Sequence, residues 1–233
     1  MYRLVIEHPE WIPPDTQKHF NLRAGDDKGR IYRVYPTGAT LRKVPRLDRL
    51  NTADLVAALD SPNGWQRDTV QRLLVERGDK RAVKSLNRLI VKSESAKTRL
   101  QALCTLDGLD AVTPAVLKPA LADAHPAVRE QAVRLSEEVF RKTYRTLPKG
   151  YKELADALLK LVDDPDVRVR FQLAFSLGEW RDPRAGRALI DLAVKHAEDE
   201  QIQTAAMSSA TPHVGEMLRA LLETRGDQPP PAK

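Results

Sequence analysis

From residue 51 onward, apolar side chains recur at steps of three and four residues, which is the spacing of an amphipathic helix. The pattern is fullest in residues 163–178, DDPDVRVRFQLAFSLG, where two adjoining apolar rows run along one helix. One row contains Val167, Phe171, Ala174 and Gly178, and the other contains Val169, Leu173 and Leu177. A helix that is apolar over so wide an arc needs neighbours on both sides, as in a stack of helical repeats.

The same periodicity predicts eleven helices, separated by short polar or proline-containing turns. The predicted helices are 52–59, 65–77, 80–91, 95–106, 114–122, 126–141, 151–162, 167–177, 183–196, 200–209 and 214–223. They follow one another in pairs, and the last helix stands alone. The sequence therefore predicts an all-α fold built from helical pairs.

An arginine recurs at the same relative place in the second helix of successive pairs. These residues are Arg67, Arg99, Arg129 and Arg170, and Gln203 takes their place in the fifth pair, at intervals of 32, 30, 41 and 33 residues. A degenerate period of this length with two helices per unit predicts an α-solenoid of about five pairs. The turns 123–126 and 163–166 each precede a Val-Arg pair, as in HEAT-type repeats.

Residues 1–50 do not follow the helical pattern. Residues 2–6 form a short apolar run and residues 30–35 alternate polar with apolar side chains, so both are predicted strands. One or two short strands cannot make a stable sheet alone. We therefore expect an irregular or β segment over 1–50, the solenoid over 51–225, and a disordered tail over 226–233.

The charge is unevenly distributed along the chain. Residues 1–100 carry 20 basic and 12 acidic side chains, whereas residues 151–233 carry 11 basic and 14 acidic ones. A basic front half could attract a nucleic acid or another polyanion. Lysine and arginine also keep the outer faces of surface helices soluble, which is the simpler explanation.

The sequence contains no recognisable catalytic motif, and we expect no catalytic, cofactor-binding or metal-binding residues. The five histidines never stand three or four residues apart, so no helix presents two of them to a metal. Cys104, the single cysteine, lies among apolar residues and is predicted to be a buried structural thiol. No segment has the roughly 20 apolar residues of a membrane span, and the N-terminus lacks the features of a signal peptide.

The recurrent arginines are the candidate functional residues. Arg67, Arg99, Arg129 and Arg170 could line one face and bind phosphates or an acidic partner. They could instead bond the acidic turn or helix end of the adjacent repeat, forming an internal ladder. The aspartates of two of the turns favour the ladder.

Two N-terminal segments, MYRLVIEHPEWIPP and AGDDKGRIYRVYPTG, and the helix segment VRFQLAFSLG resemble a family of large bacterial membrane-bound dehydrogenases. In that family a β-propeller similar to quinoprotein sugar dehydrogenases is followed by a HEAT-repeat region and often by a c-type cytochrome. The resemblance implies that 29–34 is the closing propeller strand and that the whole protein is periplasmic. It carries over no active-site residue, because the propeller's catalytic parts and the haem motif have no counterpart in this sequence.

The leading functional expectation is a non-catalytic HEAT-repeat scaffold. It would hold a propeller dehydrogenase against its electron-accepting cytochrome, or present a face to another protein partner. One alternative is nucleic-acid binding through the basic front half. Another is a lyase related to HEAT-like phycobilin proteins, for which the repeat itself is the only support.

Overall fold

The computed structural model describes residues 6, 8–25, 32, 34–40, 43, 45–142 and 149–225. The chain divides into two compact units, Met1–Pro45 and Arg46–Lys233. None of the described residues of the first unit lies in a strand, and the predicted strands 2–6 and 30–35 fall mostly outside the described residues, as does the predicted tail 226–233.

The first unit contains a 3-10 turn, Pro9–Trp11, and a one-turn helix α1, Pro14–Gln17. The side-chain amide of Gln17 donates hydrogen bonds to the carbonyl oxygens of Pro9 and Ile12, at 2.6 and 2.8 Å. These bonds fold the proline-rich stretch back onto the short helix. The sequence pattern did not predict α1, because four residues are too few to show a helical period.

The second unit consists of helices, and its described residues include eleven α-helices that follow α1. They are α2 (Thr52–Ala57), α3 (Gly64–Arg77), α4 (Val83–Lys92), α5 (Ala96–Gly108), α6 (Pro114–Leu121), α7 (Pro126–Lys142), α8 (Tyr151–Leu159), α9 (Val167–Gly178), α10 (Pro183–Lys195), α11 (Glu200–Ser208) and α12 (Val214–Arg225). The predicted all-α solenoid is confirmed. The main differences are 3-10 turns, which extend α2 and α8 at their ends and precede α4 and α12.

The helices form two layers, in which most helices pack on the next one of their own layer. We call α2, α4, α6, α8, α10 and α12 the first layer, and α3, α5, α7, α9 and α11 the second layer. Contacts run along the second layer from α3 to α11, and along most of the first layer from α2 to α12. Neighbouring helices of the two layers also contact each other, so one apolar core runs along the stack.

The core lies between the layers, and α9 shows how one helix is divided between core and surface. Val169, Leu173 and Leu177 are fully buried, as their apolar row predicts. Val167 and Phe171, from the other row, differ from the prediction: Val167 is exposed and Phe171 is only partly buried. These two residues lie on the side of α9 that faces outward, because α7, α10 and α11 pack against its other sides.

An aromatic cluster fills the junction after α7, where the repeat interval is longest. The ring of Phe140 stacks on Trp180 with centroids 4.7 Å apart and meets Tyr151 edge-on. The indole Nε1 of Trp180 donates a hydrogen bond to the Tyr151 hydroxyl at 2.5 Å, so the buried indole has its partner. The cluster therefore packs the end of α7 against α8 and against the turn before α10.

A glycine allows α12 to approach α10 closely. A Cβ atom added to Gly186 of α10 would lie 2.8 Å from the Cβ of Glu216 and 3.2 Å from the Cβ of His213. Neither atom is the far end of a flexible side chain. Any side chain larger than hydrogen at residue 186 must therefore push the two helices apart.

We predict that Gly186→Ala lowers the free energy of unfolding by about 1–3 kcal/mol, because overpacking at a closely packed contact is destabilising. Gly215→Ala on α12 is the matched control, since a Cβ there meets no atom within 4 Å. The control should be neutral or stabilising by about 0.5–1 kcal/mol, from the higher helix propensity of alanine. Urea unfolding of both variants measures the difference, and equal midpoints would contradict the prediction.

Candidate functional site: the arginine ladder and the exposed second-layer face

The four recurrent arginines occupy the same structural position, the fourth residue of a second-layer helix. In each, the guanidinium Nη1 donates to the backbone carbonyl oxygen six residues earlier. The acceptors and distances are Ser61 at 2.7 Å for Arg67, Ser93 at 3.0 Å for Arg99, Asp123 at 2.8 Å for Arg129, and Asp164 at 2.6 Å for Arg170. Each arginine thus closes the turn that leads into its own helix.

Two of the four arginines also reach the following repeat. The Nε and Nη2 atoms of Arg99 both donate at 2.7 Å to the carboxylate of Asp123, and those of Arg129 donate at 2.7 and 2.8 Å to that of Asp164. Both pairs are bidentate and largely buried, with the side chain of Asp164 only 3% exposed. Such two-point contacts fix both distance and orientation.

The acceptor aspartates are held by their own turns as well. The backbone N–H of His125 donates to Asp123 at 2.8 Å, and that of Asp166 donates to Asp164 at 2.9 Å. Burial alone would raise the pKa of Asp123, but the hydrogen bonds from Arg99 and His125 outweigh burial and lower it. The carboxylate is therefore held in its charged form.

The outer two arginines have no such carboxylate. The Nε atoms of Arg67 and Arg170 are buried and have no hydrogen-bond partner among the described residues. The position that Asp123 and Asp164 hold in their turns is taken by Ser93 and Ala197 in the turns that Arg67 and Arg170 face. We call each Arg–Asp pair between repeats a rung of the ladder. The described residues thus form two complete rungs, and on either side of them an arginine faces a turn without the aspartate.

A second recurring contact links an aspartate at a helix start to an arginine two residues later. Asp79 and Asp182 begin the matching segments DKRA and DPRA, and each aspartate accepts from the guanidinium and the backbone N–H of Arg81 or Arg184. Asp166 and Arg168 repeat this contact, which lowers the pKa of Asp166 to about 2. The initial sequence analysis missed it, although the match between the two segments was a visible signal.

Polar side chains also connect the second-layer helices. Gln101 of α5 donates to Asp68 and Gln71 of α3, and the Ser176 hydroxyl of α9 donates to Glu137 of α7 at 2.5 Å. The sequence analysis missed these contacts too, because the residues have no common spacing in the sequence.

The outer face of the second layer carries an apolar strip on α9. The strip consists of Val167, Phe171 and Phe175, at steps of four residues, and the two phenylalanine rings meet edge-on with centroids 4.9 Å apart. Val167 and Phe175 are 43 and 40% exposed. The residues equivalent to Phe175 in the flanking helices are Arg134 of α7 and Ser208 of α11, so the apolar strip lies between polar side chains.

The described residues contain no group of three or more His, Cys, Asp or Glu side chains that could hold a metal ion. Cys104 is half-buried, and burial raises the pKa of its thiol. No helix among the described residues is long and apolar enough to span a membrane. What the described residues do present is a set of inter-repeat contacts and an exposed apolar strip.

A match to one family model supports the repeat architecture. Residues 113–210 match the family model of HEAT repeats, which covers α6 to α11 and includes Arg129 and Arg170. Residues 1–38 match a domain of unknown function, DUF7133. No curated protein matches the chain. An engineered protein of known crystal structure is similar, with 17% identity and a TM-score of 0.47 over 77% of this chain and 91% of that one.

We predict that Arg129→Met destabilises the protein by about 3 kcal/mol or more, because it leaves the carboxylate of Asp164 buried without its cation. Arg170→Met is the matched control at the same helix position, and it removes only the hydrogen bond to a turn carbonyl. The control should cost about 1 kcal/mol. Urea unfolding compares the two variants, and an Arg129→Met protein as stable as the control would refute the ladder.

We also predict that Ala197→Asp creates a third rung by giving Arg170 the carboxylate that the inner arginines have. The gain should be about 0.5–1 kcal/mol, since residue 197 is exposed. The same substitution in the Arg170→Met background should bring no such gain. That comparison removes the general effect of a negative charge near the start of α11, and equal gains in both backgrounds would argue against the rung.

Proposed function

We propose that this chain is a non-catalytic HEAT-repeat scaffold that binds protein, within a larger assembly of a propeller dehydrogenase and a c-type cytochrome. The proposal rests on one observation: two of the recurrent arginines are used for contacts between repeats, whereas an apolar strip is left exposed. Arg99 and Arg129 are turned inward and hold adjacent repeats together. The apolar strip on α9 faces outward and is left uncovered by the described residues.

The ladder supports a structural role for the recurrent arginines. A guanidinium whose three nitrogens already contact a carboxylate and a turn carbonyl has little capacity left for an external phosphate. We propose that Arg99 and Arg129 keep the repeats in a fixed register, and that Arg67 and Arg170 close their own turns. A stiff array of this kind can hold two partners at a set distance, which is what a scaffold requires.

The partner surface that we propose is the Val167–Phe171–Phe175 strip. Interface centres are enriched in aromatic side chains with polar surroundings, and Phe175 has that setting between Arg134 and Ser208. HEAT repeats commonly act as protein-interaction scaffolds. The dehydrogenase and cytochrome partners rest on the sequence resemblance of the N-terminal segments and of α9.

The alternative partner is a nucleic acid bound by the basic front half. Lys84, Arg88 and Lys92 of α4 are exposed at steps of four residues, but this arrangement is equally that of a solvated helix face. Under the scaffold proposal, we expect no binding of a mixed-sequence duplex at physiological salt. Tight binding that weakens steeply with salt would favour the nucleic-acid alternative.

The scaffold proposal predicts that the chain binds the propeller or cytochrome part encoded with it, and that Phe175→Ser weakens this binding about ten-fold or more. Val91→Ser is the matched control, since Val91 is an exposed valine on α4 of the first layer. Isothermal titration measures both variants. Equal affinities for the two variants, absent binding, or sugar dehydrogenation by the chain alone would contradict the proposal.

A further inference from the structure

The last repeat ends in an apolar face that no described residue covers. Met207 of α11 is 66% exposed, and Val214, Leu218 and Leu222 of α12 are 58, 55 and 62% exposed. The three residues of α12 stand at steps of four, so they form one strip along the helix. We call these four residues the end face.

In the second layer, the exposed residue of the end face is Met207. It occupies a helix position whose side chain is covered in the earlier repeats. Met207 is the eighth residue of α11, and its counterparts in α5, α7 and α9 are Leu103, Val133 and Ala174, each fully buried. In α3 the counterpart is Gln71, which accepts a hydrogen bond from α5. The eighth position therefore faces the next helix of the layer, and for Met207 that helix is absent from the described chain.

In the first layer, the exposed strip of α12 lies opposite the helix that α12 already contacts. The Cβ of Glu216 faces Gly186 of α10. Leu218 follows Glu216 by two residues, a rotation of about 200° around the helix, so it points away from α10. Met217 and Ala220, on the inner side, are buried. The last described helix of each layer thus exposes apolar side chains on its stacking side.

At the opposite end of the solenoid, a short segment packs against α3. Leu47 is buried against the first repeat, in a 3-10 turn that contacts α3. The guanidinium of Arg77 on α3 donates to the carbonyl oxygens of Leu50 and Asp48, at 2.6 and 2.9 Å. Residues 46–50 therefore occupy the place from which a second molecule could continue the stack head-to-tail.

We propose that the end face binds a second copy of this chain, tail-to-tail about a two-fold axis near Leu218. Residues 46–50 obstruct head-to-tail stacking on α3, which favours the self-complementary arrangement, in which the same patch serves both copies. Charge favours it as well. Residues 200–225 carry three acidic and two basic side chains, so two copies of this segment repel each other little.

The size of the end face sets the expected affinity. It consists of four apolar side chains on one helix of 9 residues and one of 12, so we expect it to bury less than the roughly 800 Å² per partner of a standard interface. We therefore expect a dimer that dissociates in the micromolar range. This association does not depend on the α9 strip, so loss of either interaction leaves the other in place.

Sedimentation equilibrium of the full chain over a wide concentration range tests the proposal. We expect a monomer–dimer equilibrium that Leu218→Lys weakens at least ten-fold, and that the control Val91→Lys on α4 leaves unchanged. A chain that stays monomeric at the highest concentration overturns the proposal and assigns the end face to another protein or to further helices. Association that is equally strong in both variants also overturns it, because it places the contact elsewhere.

Disulfide trapping tests the two-fold geometry separately. In a Cys104→Ser background, Leu218→Cys should give a covalent dimer under mild oxidation, because a two-fold axis near residue 218 brings the two copies of that residue together. Val91→Cys, at a similarly exposed site, is the control and should remain monomeric. A failure of Leu218→Cys to cross-link beyond this control overturns the two-fold arrangement.

Discussion

The structure depends on a carboxylate buried in the turn between two repeats. Asp164 is almost fully shielded from water, and a charge in that position is tolerated only when it is paired and hydrogen-bonded. Arg129 from the preceding repeat supplies the two-point pair, and the backbone of the turn supplies another donor. The carbonyl of the same residue accepts from Arg170 of its own repeat. One aspartate thus joins α7, the turn and α9: a shift of α7 would leave the charge without its cation, and a shift of α9 would break the bond to the carbonyl oxygen.

The stack is consequently held in two different ways along its length. The middle interfaces combine apolar packing with the Arg99–Asp123 and Arg129–Asp164 pairs. Between α10 and α12 there is a close approach at Gly186, and the described ion pair there, Arg187 with Glu223, is exposed and contributes little. Because repeats contact only their neighbours, these differences stay local. The two central Arg–Asp pairs therefore stabilise the middle of the stack, whereas Arg67 and Arg170 on either side lack such a carboxylate partner.

The periodicity of apolar residues predicted the fold well, because helical pairs leave a strong local signal. Helix ranges, the five pairs and the shared position of the four arginines could all be read from the sequence. Which arginines find a carboxylate depends on residues 24 or 35 positions away, and the sequence shows this only once the turns are superimposed, with Ser93 and Ala197 opposite Asp123 and Asp164. Contacts without a common spacing, such as Ser176 with Glu137, could not be predicted from any periodicity.

The same reasoning explains why exposure was predicted less well than helix position. Phe171, Leu173 and Leu218 all stand in apolar rows with steps of four residues. Leu173 is nevertheless fully buried, Phe171 is partly buried and Leu218 is exposed. Steps of four residues specify a side of a helix, but only a neighbouring helix turns that side into core. In a solenoid the neighbour is missing at the outer face and at the ends. Apolar rows that keep the pattern at those places, on α9 and α12, are therefore the surfaces on which binding to other chains should be sought first.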